Sequence, residues 1–153
     1  MEKTDKTKAK QFLRLKRIAF IGVSGKAKDF SRMLFNELIN RSYEVIPVNP
    51  LSAEIEGRTC FKSIGDIIPA ADAVIIFTKA RPIAELVSQC INAGVTNIWV
   101  QNGQPNINRD TSFRELCENN GVSLITGCCP YMFLPGASFI HRLHGFFAGV
   151  KAE

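Results

Sequence analysis

The chain has 153 residues, 46% of them hydrophobic and 22% charged, with a formal charge of +5. That is the length of one domain, too short for an eightfold barrel or a two-domain dehydrogenase and too apolar for wholesale disorder. No apolar run approaches the roughly 20 residues that a membrane span requires, so no membrane partner is expected.

Residues 1–14 read as a basic extension ahead of a single domain over 15–150. Within residues 1–17, Lys3, Lys6, Lys8, Lys10, Arg14, Lys16 and Arg17 face only Glu2 and Asp5; beyond them bases and acids balance. A basic arm can hold nucleic acid or an anionic surface. No nucleic-acid motif accompanies it, so the expectation is a solvated tail that turns helical near 11–16, without a nucleic-acid partner.

Ile18-Ala19-Phe20-Ile21-Gly22-Val23 is a nearly continuous apolar run, the pattern of a strand buried on both faces of a parallel sheet. A polar loop over 24–28 follows. Asp29 stands as a helix N-cap, and Phe30, Met33, Leu34, Leu38 and Ile39 recur at helical spacing to about Arg41. Glu44-Val45-Ile46-Pro47-Val48 is the second strand, closed by Asn49-Pro50; its internal proline marks a strand end or a shortened ladder. Residues 51–62, with Gly57, read as a connection, and a short helical turn covers 63–68. Ala73-Val74-Ile75-Ile76-Phe77 is the third strand. Pro82 opens a helix carrying Ile83, Leu86, Val87, Cys90 and Ile91 on one face, stopped by Gly94. Asn97-Ile98-Trp99-Val100 is the fourth strand. Asp110 caps a helix bearing Phe113, Leu116 and Cys117, ended by Gly121. Val122-Ser123-Leu124-Ile125 is the fifth strand, and the apolar tail over 138–148 predicts a further helix.

Strand starts fall about 25 residues apart, the size of a βα unit. The fold class predicted is α/β: a doubly wound parallel sheet of about five strands, Rossmann-like, in three α/β/α layers. The expected strand order is 3-2-1-4-5. The five cysteines, Cys60, Cys90, Cys117, Cys128 and Cys129, are odd in number and form no CxxC pair. No apolar leader opens the chain. Both features point to a reducing, cytoplasmic setting.

In such sheets a ligand lies at the carboxyl ends of the strands, where the strand order switches. At the first end, Gly22, Val23, Ser24, Gly25 and Lys26 form a small-residue turn between strand and helix. Gly22 lets the backbone bend closely, the helix offers N–H groups and its positive dipole end, Ser24 adds a hydroxyl, and Lys26 and Lys28 add charge. That combination suits phosphate. A plain βα turn also asks for small residues, and the segment matches neither GxGxxG nor the P-loop. At the second end, Asn49 and Pro50 stand where an NAD site carries Asp or Glu for the ribose hydroxyls, which leaves room for a ligand with an additional ribose phosphate. A turn signal explains the same pair. After the third strand, Thr78, Lys79 and Arg81 supply phosphate charge or a solvated loop. Gln101 and Gly103 let a ligand approach without charge. Cys129, beside Cys128 and Pro130, places a thiol near the reactive end of a cofactor, with buried inert thiols as the plainer expectation. His141 and His144, three apart on the tail, read as surface groups ahead of a metal pair. Phe139, Leu143, Phe146 and Phe147 read as core or as a homodimer contact. No nucleophile–base pair or metal motif is visible, so no catalytic residue and no metal ligand is assigned.

Together these segments resemble the CoA-binding domain family, the small stand-alone relatives of the N-terminal domain of the succinyl-CoA ligase alpha subunit. The resemblance rests on the order and spacing of 18–24, Tyr43-Glu44-Val45-Ile46-Pro47-Val48-Asn49-Pro50, Glu56-Gly57, 72–77, Ile98-Trp99-Val100-Gln101-Asn102-Gly103 and Cys129-Pro130. It covers about residues 15–130, and the tail to Ala148 resembles an extension of some members. It implies coenzyme A, an acyl-CoA or a similar adenine dinucleotide as cofactor. Gly22, Val23, Ser24 and Gly25 match the turn around the phosphates, and Asn49 and Pro50 the end near the adenosine. Phe77, Thr78 and Lys79 match the loop along the cofactor, although many members carry prolines where Thr78 and Lys79 stand. The pantetheine arm then runs across the strand ends toward Cys129. The histidine that the ligase phosphorylates belongs to a second domain without counterpart here, so ligase activity is not implied. The expectation is a non-catalytic ligand-binding or regulatory protein. The alternative is an NAD(P)-binding oxidoreductase-like or redox-sensing protein.

Overall fold

The computed structural model describes residues 3–78, 80–101 and 110–136. The predicted tail helix with its histidines and phenylalanines lies outside the described residues, as do Lys79 and Gly103. In chain order the elements are α1 (Lys3–Phe12), β1 (Arg17–Ile21), α2 (Phe30–Asn40), β2 (Glu44–Val48), β3 (Glu54–Ile55) and β4 (Arg58–Thr59). They continue with a 3-10 turn (Ile64–Asp66), β5 (Ala73–Ile76), α3 (Ile83–Asn92), β6 (Asn97–Val100), α4 (Ser112–Asn119), β7 (Ser123–Ile125) and a second 3-10 turn (Pro130–Phe133). No helix among the described residues is long and apolar enough to cross a membrane.

β1, β2, β5, β6 and β7 form one parallel sheet. Successive side chains of a strand point to opposite faces, and both faces are covered. Ile18, Phe20, Val45, Ile75, Trp99 and Ile125 pack under α1 and α2, with Ala9, Phe12, Leu34, Phe35 and Leu38. Ala19, Ile21, Ile46, Val74, Ile76, Ile98 and Val100 pack under α3 and α4, with Leu86, Val87, Cys90, Phe113 and Cys117. This explains the unbroken apolar runs and gives the expected three-layer α/β/α architecture.

The strand order is β2-β1-β5-β6-β7, which corrects the expected 3-2-1-4-5 to 2-1-3-4-5. Two local features dictate the difference. Every residue of β5 is fully buried, which demands a neighbour on each side, and β1 and β6 supply them. The outer edge of β2 is closed to a further strand. Pro47 has no N–H to offer there, and its carbonyl accepts from Phe61 N at 2.9 Å while Asn49 N donates to Phe61 O at 2.9 Å. One bridge, Val48 to Phe61, thus takes the place of a sixth strand.

The connection after β2 contains a small antiparallel hairpin, β3–β4, that the sequence did not announce. Its two turn residues, Glu56 and Gly57, both have positive φ (50° and 71°), the requirement of a two-residue hairpin turn. The basic segment also differs from its expectation: the helix begins at Lys3 and ends at Phe12. Ala9 and Phe12 are buried in the core, and Tyr43 Oη donates to Leu13 O at 2.5 Å. Lys6, Lys10 and Arg14 face solvent.

Candidate functional site

The chain leaves β1 toward α2 on one face and β5 toward α3 on the other, so the strand order switches between β1 and β5, and a crevice opens at their carboxyl ends. Gly22 sits at its base with φ +90°. A Cβ placed there would lie 2.1 Å from Phe77 O and 2.8 Å from Thr78 Cβ, so only glycine lets the two loops meet. Gly25 carries no such demand: its nearest neighbour would be Ser52 Oγ at 3.8 Å.

The loop from Gly22 to α2 is held by its own polar groups. Ser24 Oγ donates to Asp29 and accepts from Lys26 N at 3.0 Å; Ser24 N donates to Ser31 Oγ at 3.0 Å. The Ser24 hydroxyl therefore shapes the loop. Asp29 does occupy the N-cap position of α2, but its carboxylate makes no capping bond and takes the Ser24 hydroxyl. Arg32 donates to Ser24 O at 3.0 Å and to Glu56 Oε1 at 2.8 Å, and tethers the loop to the hairpin. The Arg32 and Asn36 hydrogen bonds hold the Glu56 carboxyl below its ordinary range. Asn49 ties the β2 end to the same loop: its Nδ2 donates to Val23 O at 3.0 Å and its Oδ1 accepts from Leu51 N at 2.8 Å.

Above this base lies a cleft of about 490 Å³, within the usual range for small-molecule sites. Ile21, Val48, Ile64 and Leu86 give it an apolar floor. Its rim brings together nine of the sequence-predicted residues: Gly22, Val23, Ser24, Gly25, Lys26, Asn49, Pro50, Thr78 and Arg81. Among the described residues three cations line it, Lys26, Lys62 and Arg81, and no Asp or Glu does. Arg81 pairs with Glu85 one turn along α3. Sequence reasoning missed Lys62, Ser63 and Ile64, because what brings them to the site is the pairing of Phe61 with β2, a contact without a local signature.

The other predicted residues lie apart. Phe77 is beneath the loop, stacked on Phe20 at 6.2 Å and tilted against Phe30 at 5.7 Å. Gln101 is 1% exposed, its backbone N donates to Ile76 O at 3.0 Å, and its Oε1 has no hydrogen-bond partner among the described residues. Cys129 is buried in the core beneath α1 and α2 and does not line the cleft. All five thiols are free and buried. Burial pushes Cys128 and Cys129 up to about 11 and Cys90 up to about 12, which leaves little thiolate at neutral pH and little nucleophilicity. Among the described residues no cluster of three or more metal-ligating side chains exists.

The resemblance of this arrangement to known proteins is consistent. The model of the CoA binding domain matches residues 16–135. An uncharacterised Bacillus subtilis protein, YneT, is 29% identical over 107 residues, which is 69% of this chain and 79% of that one. A hypothetical protein from Pyrococcus horikoshii superposes with TM-score 0.75 and 27% identity, over 86% of this chain and 92% of that one. A dinucleotide-forming acetyl-coenzyme A synthetase from Candidatus Korarchaeum cryptofilum shares the fold (TM-score 0.63, 20% identity), over 71% of this chain and 25% of that one. The parallel sheet, the glycine corner at its switch point and the match over most of the chain lead to one conclusion: this protein belongs to the CoA-binding domain family.

Proposed function

We propose that the chain binds coenzyme A, free or acylated, in the cleft at the β1/β5 switch point and works as a non-catalytic ligand-binding or regulatory protein of a reducing, cytoplasmic compartment. The observation that carries this reading is the charge of the cleft: among the described lining residues, three cations and no carboxylate over an apolar floor. Coenzyme A is a polyanion with an uncharged pantetheine arm that presents methyl and methylene groups beside its amides, and both parts suit such walls. The loop over 22–26 packs the pyrophosphate against the first βα corner, with Lys26 beside it. Asn49 and Pro50 border the adenosine part, Thr78 lies along the cofactor, and Arg81 stands after β5 paired with Glu85. A ligand recognised through free ribose hydroxyls, such as NAD, expects an acidic residue at the β2 end. Asn49 stands there with both ends of its amide already bonded.

Ligands that bind only the folded state raise the melting temperature. Coenzyme A and acetyl-CoA at about 100 times their Kd are expected to stabilise the full chain by about 2.7 kcal/mol, about 5–10 °C for a domain of this size. NAD and NADPH are expected to leave it unmoved. Stabilisation by NADPH alone would replace this reading with the oxidoreductase-like one.

A further inference from the structure

We infer that Lys62 recognises the 3′-phosphate on the ribose of coenzyme A and sets the preference of the site for 3′-phosphorylated over unphosphorylated adenosine ligands. The inference rests on the proposed coenzyme A site and names its discriminating residue.

The backbone that carries Lys62 is pinned beside the β2 end. Phe61 N donates to Pro47 O and Asn49 N donates to Phe61 O, both at 2.9 Å, so Lys62 is the first residue past that bridge. On its other side, Ser63 Oγ accepts from Gly65 N at 3.3 Å and Ile64 is buried. At the open end of the hairpin, Cys60 N donates to Ala53 O at 2.9 Å. A lysine on a fixed stretch of chain thus stands at the level of Asn49 and Pro50, where the adenosine ribose would lie. Its side chain is exposed and forms no ion pair with a described residue. The other cations near the cleft are differently occupied. Arg32 is held by Glu56, and Arg81 by Glu85. Lys26 belongs to the first loop, after β1, whereas Lys62 follows the β3–β4 hairpin. The cleft therefore offers two positive centres on different loops, neither ion-paired with a described residue, and coenzyme A carries two separate phosphate groups, a pyrophosphate and a ribose monophosphate. Since Asn49 is bonded within the protein at both ends of its amide, Lys62 is the cation that the described lining offers to a ribose phosphate at the β2 end.

Calorimetric titration of the full chain with coenzyme A and with 3′-dephospho-CoA, at one fixed low salt, tests this. The intact protein is expected to bind coenzyme A about tenfold or more tightly than dephospho-CoA, the scale of one charge-assisted contact. In Lys62→Gln that ratio is expected to collapse by about tenfold, and Lys62→Arg is expected to restore most of it. Melting temperatures of both variants within about 2 °C of the parent show that the fold is kept, as expected at an exposed position. An undiminished ratio in Lys62→Gln, or an equal loss for both ligands, overturns the role of Lys62 while leaving the coenzyme A site standing. Failure of the intact protein to bind either ligand overturns the site itself.

Discussion

Gly22→Ala is expected to lower the melting temperature by about 10 °C or more, while Gly25→Ala, three residues along the same loop, shifts it by less than about 3 °C. The two glycines sit in one turn, but only one of them is constrained. At Gly22 a methyl group must take a positive φ of 90° and stand 2.1 Å from the Phe77 carbonyl. The left-handed conformation costs an alanine about 1–2 kcal/mol, and backbone overlap adds about 1–3 kcal/mol, because a carbonyl between a strand and a helix cannot rotate away as a side-chain tip can. At Gly25 the nearest atom is a serine hydroxyl at ordinary contact distance. Since Gly22 joins the ends of β1 and β5, the same substitution should pull apart the base of the cleft. Thermal unfolding of the two variants side by side decides it. Equal melting temperatures would mean that the two loops do not meet at Gly22.

The second large effect lies on the opposite face. Trp99 is the sole tryptophan and is fully buried in β6. Its ring meets the edge of Phe12 at 5.2 Å and Phe133 at 5.7 Å, and its indole N–H donates to Cys128 O at 3.0 Å. Trp99 thus ties together α1, the central sheet and the segment after β7. Trp99→Ala is expected to cost about 3–5 kcal/mol from lost burial and an unfilled cavity, with the Cys128 carbonyl left unpaired in addition. Trp99→Phe keeps most of the ring, loses the donor, and is expected to cost about 2 kcal/mol. Denaturant unfolding of the three proteins measures the series. A cost for Trp99→Phe as large as that for Trp99→Ala would show that the hydrogen bond, and not the packing, dominates.

The parallel sheet was readable because its strands are buried on both faces and so run apolar without alternation; residues 44–48 and 97–100 emerge with the bounds expected. The strand order was not read correctly, although part of its cause was in view. Pro47 closes the outer edge of β2, whereas in the sequence it signals no more than a strand end or a shortened ladder. The β3–β4 hairpin was missed because Glu56-Gly57 is a weaker turn signal than Asn-Gly or Asp-Gly. The early start of α1 is not legible because, among its described side chains, Ala9 and Phe12 alone mark the buried face amid lysines. At the site, glycine, small residues and Asn49 could be read from strand ends alone. The duties of their side chains could not. Ser24 and Asn49 hold loops together, and this follows from distances across the fold. Lys62 reaches the cleft only through the register of Phe61 against β2, which no local pattern encodes.

The central claim is the location of the ligand, and amide chemical-shift mapping of the labelled chain on addition of coenzyme A tests it most directly. The account predicts the largest shifts at 22–26, 49–52 and 62–64, with the amides of Ser112–Asn119 and Ser123–Ile125 unmoved. Shifts concentrated on α4 and β7, or no shift at saturating coenzyme A, would contradict it.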